Sequence, residues 1–145
     1  MNEYLNKILK TDDDYVIAVD TDSVYLNLGP LVEKVFEGRE KTTESIVSFL
    51  NKICEMEFQK YIENSYEALA KYVNAYEQKM FMARENIADR GIWTAKKRYI
   101  LNVWDSEGVR YNEPKLKMMG IEAVKSSTPA PVSYTHLTLP TIYSV

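Results

Sequence analysis

The chain is poor in the residue types on which many catalytic and structural sites depend. Its 145 residues include one cysteine, Cys54, and one histidine, His136. A lone cysteine excludes a disulfide framework and any zinc site built from clustered cysteines. A lone histidine excludes His-rich metal sites and argues against Ser-His or Cys-His catalysis. No apolar run reaches the roughly 18 residues of a membrane-spanning helix. Met1-Asn2-Glu3-Tyr4 opens the chain without the basic and apolar stretches of a secretory signal. The whole sequence is 46% hydrophobic and 27% charged. That is the composition of one ordinary globular domain, long enough to bury a core.

Basic residues are short overall, and the formal charge is -3. The shortage is local. Residues 1–78 carry 8 Lys/Arg against 15 Asp/Glu, a net of -7. Residues 79–131 carry 10 against 6, a net of +4. Residues 132–145, VSYTHLTLPTIYSV, carry no Lys, Arg, Asp or Glu. An acidic site beside a polyanion-binding surface would divide charge in this way, and so would ordinary scatter.

The spacing of apolar residues predicts an α+β chain. Asn2–Lys10 reads as a short helix with Leu5, Ile8 and Leu9 on one side. Tyr15–Val19 is a continuous apolar run of strand length, read as a buried strand. Ser23–Leu28 is a second strand, and so close a spacing predicts a tight hairpin over 15–28. Gly29-Pro30 ends it, and Leu31–Phe36 reads as a short helix. Thr42 or Thr43 is placed to cap a long helical segment over 42–78, with Glu44 facing the positive end of its dipole. Its stripe of Ile46, Leu50, Ile53, Phe58, Tyr61, Ile62, Leu69, Val73 and Tyr76 reads as core packing. Hairpins are expected over 79–111: strands at Lys79–Glu85, Ile92–Thr94 and Arg98–Trp104, with turns at Asp89-Arg90-Gly91 and Asp105–Gly108. Val109–Tyr111 extends the last hairpin, Pro114 breaks it, and Gly120 punctuates the stretch before Val124. The expected architecture is antiparallel hairpins with a long helix on one face.

Asp20-Thr21-Asp22-Ser23 is the most informative stretch. Two carboxylates at the tip of a hairpin with apolar arms share one region of space. Hard divalent cations favour such oxygen donors. Close like charges also repel, which favours a bound cation. Asp is equally a good turn former, so the pair alone leaves both readings open. An EF-hand is excluded, because the next ligand position and its glycine are occupied by Val24 and Tyr25. The apolar strand followed by D-x-D resembles haloacid-dehalogenase-like phosphatases, with Asp20 as nucleophile and Asp22 as general acid/base. That fold also needs βαβ alternation and a downstream acidic pair, which the sequence does not show. Two-metal nucleotidyl transfer is the third class that uses such a pair.

Three segments, in order, resemble the palm of family B DNA polymerases, above all the replicative enzymes of T-even-type tailed phages. Asp20-Thr21-Asp22-Ser23 is similar to motif C. Lys96-Lys97-Arg98-Tyr99, with the flank Leu101–Asp105, is similar to the K-K-R-Y motif. Lys125-Ser126-Ser127-Thr128-Pro129 is similar to the passage from palm to thumb. The resemblance covers roughly residues 1–131 and implies the C-terminal part of a palm over 1–124, with the thumb transition starting at 125–131. It departs at Ala18-Val19, where relatives usually carry Tyr-Gly.

The resemblance implies roles for these residues. Asp22 would be a direct ligand of two Mg²⁺ ions and Asp20 a weaker partner beside them. Lys97 would enter the minor groove of primer-template DNA, where acceptors are alike for all base pairs. Lys96, Arg98 and Tyr99 would support it and touch the DNA backbone. Lys125 and Ser126 would contact primer phosphates, and Thr128 and Pro129 would start a thumb helix. Deoxynucleoside triphosphates would be the substrates and the host-cell cytoplasm the location. A sliding clamp would be a partner of the parent that these residues do not display. The upstream palm aspartate, fingers, exonuclease domain and most of the thumb are expected in a longer protein in which Met1 is internal. The fragment alone is then expected to be inactive. The tail over 132–145 resembles translated sequencing-adapter sequence. A DNA-binding module without enzymatic activity, relying on the basic block alone, stays open beside the polymerase and phosphatase readings.

Overall fold

The computed structural model describes residues 1–38 and 41–121. The chain forms two units, Met1–Glu85 and Asn86–Val145. Both sheets are antiparallel, one of two strands and one of three. With a helical run of 30 residues within the first unit, this is the expected α+β class.

The first unit is built around a small core. Helix α1 (Asn2–Leu9) buries Leu5 and Leu9. Ile8, expected on the same side, is 49% exposed, because it lies about 100° round the helix from Leu9. Lys10 ends α1 in the left-handed conformation, and Lys34 donates to the Leu9 carbonyl at 2.8 Å. The polar segment after α1 is held by two asparagines of that helix. The Asn2 carbonyl oxygen accepts from the amides of Tyr15 and Val16 at 3.1 and 2.9 Å. Asn6 bonds both the amide and the carbonyl of Asp13.

Strands β1 (Val16–Asp20) and β2 (Ser23–Leu26) form the expected hairpin, with Asp20 opposite Ser23. Tyr15, just before β1, is fully buried, but Ile17 and Val19 are 47% and 61% exposed. The strand is therefore not buried on both faces as its apolar run suggests. A hairpin of two strands covers only the face that meets the core. Helix α2 (Gly29–Val35) starts earlier than expected. Pro30 sits in its first turn, where no donor is needed, and Leu31 is buried.

Thr42 caps α3 (Thr43–Ile53), its hydroxyl oxygen accepting from the Ser45 amide at 3.3 Å. The helix continues through a π-turn (Cys54–Phe58) into α4 (Gln59–Tyr72). In a regular helix Glu57 would return to the face of Leu50 seven residues earlier. The π-turn holds one extra residue, so Phe58 takes that place and is buried, while Glu57 is exposed. Leu5, Leu9, Tyr15, Leu31 and Phe58 form the core, with Leu26, Leu28, Phe49 and Ile53 packed against it. The hairpin and the long helix thus share one core. The stripe does not remain buried along its length. α4 buries no residue and ends at Tyr72, so residues 73–78, expected to be helical, are not; Leu69, Val73 and Tyr76 are exposed, because this end of the segment runs past the core.

The second unit is a meander of β3 (Asn86–Ala95), β4 (Arg98–Ser106) and β5 (Val109–Met119). Three expectations are corrected here. Lys79–Glu85 is not a strand; the ladder begins at Asn86, where a partner, Ser106, exists. Asp89-Arg90-Gly91 is not a turn but lies within β3. A Cβ at Gly91 would stand 2.6 Å from the Trp93 ring and 2.8 Å from Leu101, so the glycine makes room for packing inside the strand. Pro114 does not break the last hairpin. β4 moves from Val103 to Asp105 while β5 moves from Lys115 to Arg110, so Pro114 falls in a bulge, where no ladder donor is required.

Candidate functional site

The carboxylates Asp20 and Asp22 are brought to one turn. Asp20 is the last residue of β1 and half-buried, on the same side as Val16 and Ala18. Thr21 and Asp22 form the two-residue turn and are exposed. Thr21 takes a positive φ of 47°, an unusual choice for a β-branched residue. Its hydroxyl donates to Asp20 Oδ1 at 3.3 Å, and the Ser23 hydroxyl donates to the Asp20 carbonyl at 3.1 Å. The neighbouring side chains thus fix the turn, while the Asp22 carboxylate faces outward.

The donors at this turn are oxygen only, the chemistry that suits Mg²⁺. Among the described residues, no group of three or more His, Cys, Asp or Glu side chains is placed to hold a metal. The pair could hold Mg²⁺ only together with oxygen donors from elsewhere. It does not by itself form a full coordination shell.

The basic motif occupies a second turn, in the other unit. Lys96 and Lys97 are the two residues between Ala95 and Arg98, which pair across the β3–β4 hairpin. Lys96, Lys97 and Arg98 are exposed. Lys97 takes the left-handed conformation, φ 60°. A lysine pays about 1–2 kcal/mol for that geometry. Thr94 braces the turn by donating to the Arg98 carbonyl at 3.3 Å. Tyr99 is only 5% exposed, and its ring lies 6.3 Å from that of Trp93. Its part is therefore to support the turn from below. Behind it β4 alternates strictly: Tyr99, Leu101, Val103 and Asp105 are buried. Asp105 accepts from the Gly108 amide at 3.1 Å and holds the β4–β5 turn.

Lys125, Ser126, Thr128 and Pro129 lie outside the described residues, as does the tail over 132–145. Gly120 enters the sequence reading only as punctuation. Its φ is +65°, and a Cβ there would lie 2.2 Å from the Lys97 carbonyl oxygen. A glycine after a strand signals a sharp bend, but nothing in the sequence reveals what it bends against.

The antiparallel hairpin over 15–28 excludes the phosphatase reading, which requires that strand in a parallel sheet. The chain matches a segment of phage DNA polymerases. It is 43% identical over 141 residues to the DNA-directed DNA polymerase of Escherichia phage RB69, and equally to that of Enterobacteria phage T4. Each match covers 91% of this chain. The chain spans 16% of the length of these relatives. No family model matches it. Among the described residues, no helix is long and apolar enough to cross a membrane.

Proposed function

We propose that the chain is part of the palm of a family B phage DNA polymerase, carrying the motif C aspartates and the K-K-R-Y turn. The parent would perform template-directed, two-metal nucleotidyl transfer during viral DNA replication in the host-cell cytoplasm. The observation that carries this reading is the two-residue turn presenting Asp20 and Asp22, in a chain similar over most of its length to two phage DNA polymerases. Asp22, exposed at the turn, is suited to bind metal directly. Asp20, half-buried and held by Thr21, is suited to the flanking role. When bound, Mg²⁺ eases ionisation of the primer 3′-hydroxyl and stabilises the charge of the departing pyrophosphate.

Lys97 would contact the minor groove of primer-template DNA at the primer end, testing base-pair shape without reading sequence. Lys96 and Arg98 would meet phosphates, and Tyr99 would hold their turn rigid. Lys125 and Ser126 would add primer-strand phosphate contacts. Deoxynucleoside triphosphates would be the other substrate. The isolated chain would not polymerise, since two carboxylates cannot hold both ions without further ligands.

The test replaces the matching segment of the phage RB69 polymerase with this chain and measures primer extension. Extension by the chimera, lost by several orders of magnitude in Asp22→Asn while duplex affinity is kept, is the expected result. Undiminished extension by that variant would remove Asp22 from the metal site. In the non-enzymatic alternative, the chain binds duplex DNA but the chimera makes no product.

A further inference from the structure

We infer that Gly120 is a positioning residue for the K-K-R-Y turn, acting through Lys97; this deepens the DNA-binding reading and rests on it. Three observations converge on this residue. Lys97, at the apex of the β3–β4 turn, holds a left-handed conformation that lysine rarely adopts. Such a residue persists only when its surroundings over-determine it. Gly120, directly after β5, has φ +65°, and a Cβ there would stand 2.2 Å from the Lys97 carbonyl oxygen, 3.2 Å from its carbonyl carbon and 3.0 Å from Arg98 Cγ. The register explains the approach. Tyr99 pairs with Met119, so one step further along β5 the chain passes the base of the turn.

The backbone of the turn is therefore packed against the backbone at Gly120 with no room for a methyl group. The flank on one side is the Thr94 bond to the Arg98 carbonyl, and on the other it is Gly120. Any side chain at 120 must push the Lys97 carbonyl away. Displacing that carbonyl rotates the Lys97 and Arg98 side chains, which leave the chain on either side of it. Gly120 makes no contact with DNA in this account. It sets where the Lys97 ammonium points.

The test uses the full 145-residue chain and a primer-template duplex, with binding followed by fluorescence anisotropy between 50 and 200 mM salt. Lys97→Ala should weaken binding several-fold and lower the slope of log K against log salt by about 1, the signature of one lost ionic contact. Gly120→Ala should reproduce both changes. The double variant should bind no more weakly than Lys97→Ala alone, because Gly120 acts only through that lysine. Gly120→Asn tolerates positive φ but still carries a Cβ, so it should fail as alanine does. Additive losses in the double variant would overturn the inference, as would wild-type binding by Gly120→Ala. Loss of sheet structure by circular dichroism in Gly120→Ala would also overturn it, because the glycine would then serve the whole sheet. If the unsubstituted chain does not bind duplex DNA, the DNA-binding reading itself falls, and the role of Gly120 with it.

Discussion

Two residues stand out for an unusual conformation or surroundings. Lys97 carries conformational strain at an exposed, basic turn. Lys97→Gly should raise the free energy of unfolding by about 1 kcal/mol, since glycine adopts positive φ without that cost, while duplex affinity falls. Denaturant melts and anisotropy on the same samples check both halves. Cys54 has the opposite character. Burial pushes its thiol up to about 11, with the Arg84 charge pulling slightly down and Glu55 pushing up. The thiolate is the reactive form, so alkylation by iodoacetamide should be slow at pH 8 and accelerate until pH passes about 11. Because the folded pKa is raised, the related stability is complete below the unfolded value near 9 and is lost as pH rises toward 11. The candidate site was legible at this scale where chemistry resides in residue type, as at Asp20, Asp22, Lys96 and Lys97. Gly120 and Trp93 were not legible, because their importance is a distance between strands that spacing along one strand does not encode.

Secondary elements follow local rules where the rules are strong. The Thr42 cap, the 15–28 hairpin and the Asp105–Gly108 turn all form as their residues suggest. At the last of these, Glu107 and Gly108 both take positive φ, the pattern of a tight hairpin turn. Thr42→Ala should cost about 1 kcal/mol, read as a shift in the denaturation midpoint. Phe58→Ala should cost about 3–5 kcal/mol, because that ring lies in the core of the first unit and also meets Tyr4 edge-on at 6.4 Å. Tyr4 in turn stacks on Tyr61 at 4.4 Å and donates to Glu57 at 3.2 Å. Boundaries failed where tertiary pairing overruled composition. Lys79–Glu85 has strand-like residues but joins no ladder among the described residues, and Gly91 resembles a turn glycine while serving as a packing gap. Pro114 resembles a terminator yet sits where the ladder already opens.

At the scale of the whole molecule, the apolar surface is the feature that needs explaining. Ile17 and Val19 on the hairpin, and Tyr72, Val73, Tyr76 and Phe81 around the end of α4, are all exposed. Exposed apolar surface of this kind marks contact with other protein surfaces or a tendency to associate. The purified chain should therefore bind a hydrophobic dye and associate as its concentration rises, measured by light scattering. Tyr76→Lys combined with Val73→Lys should reduce both. Periodicity showed that the helix had an apolar stripe, but not which half of it the core would reach. The π-turn bears on how the length of this chain can vary. Deleting one residue from an ordinary helix turns everything downstream by about 100°. Removing Glu55 instead takes out the surplus residue, restores regular winding and leaves Phe58 and Tyr61 on their present faces. A deletion at Asn64, beyond the π-turn, has no surplus to absorb it. The middle of this helix is thus where an in-frame loss of three nucleotides would pass almost unnoticed by the fold.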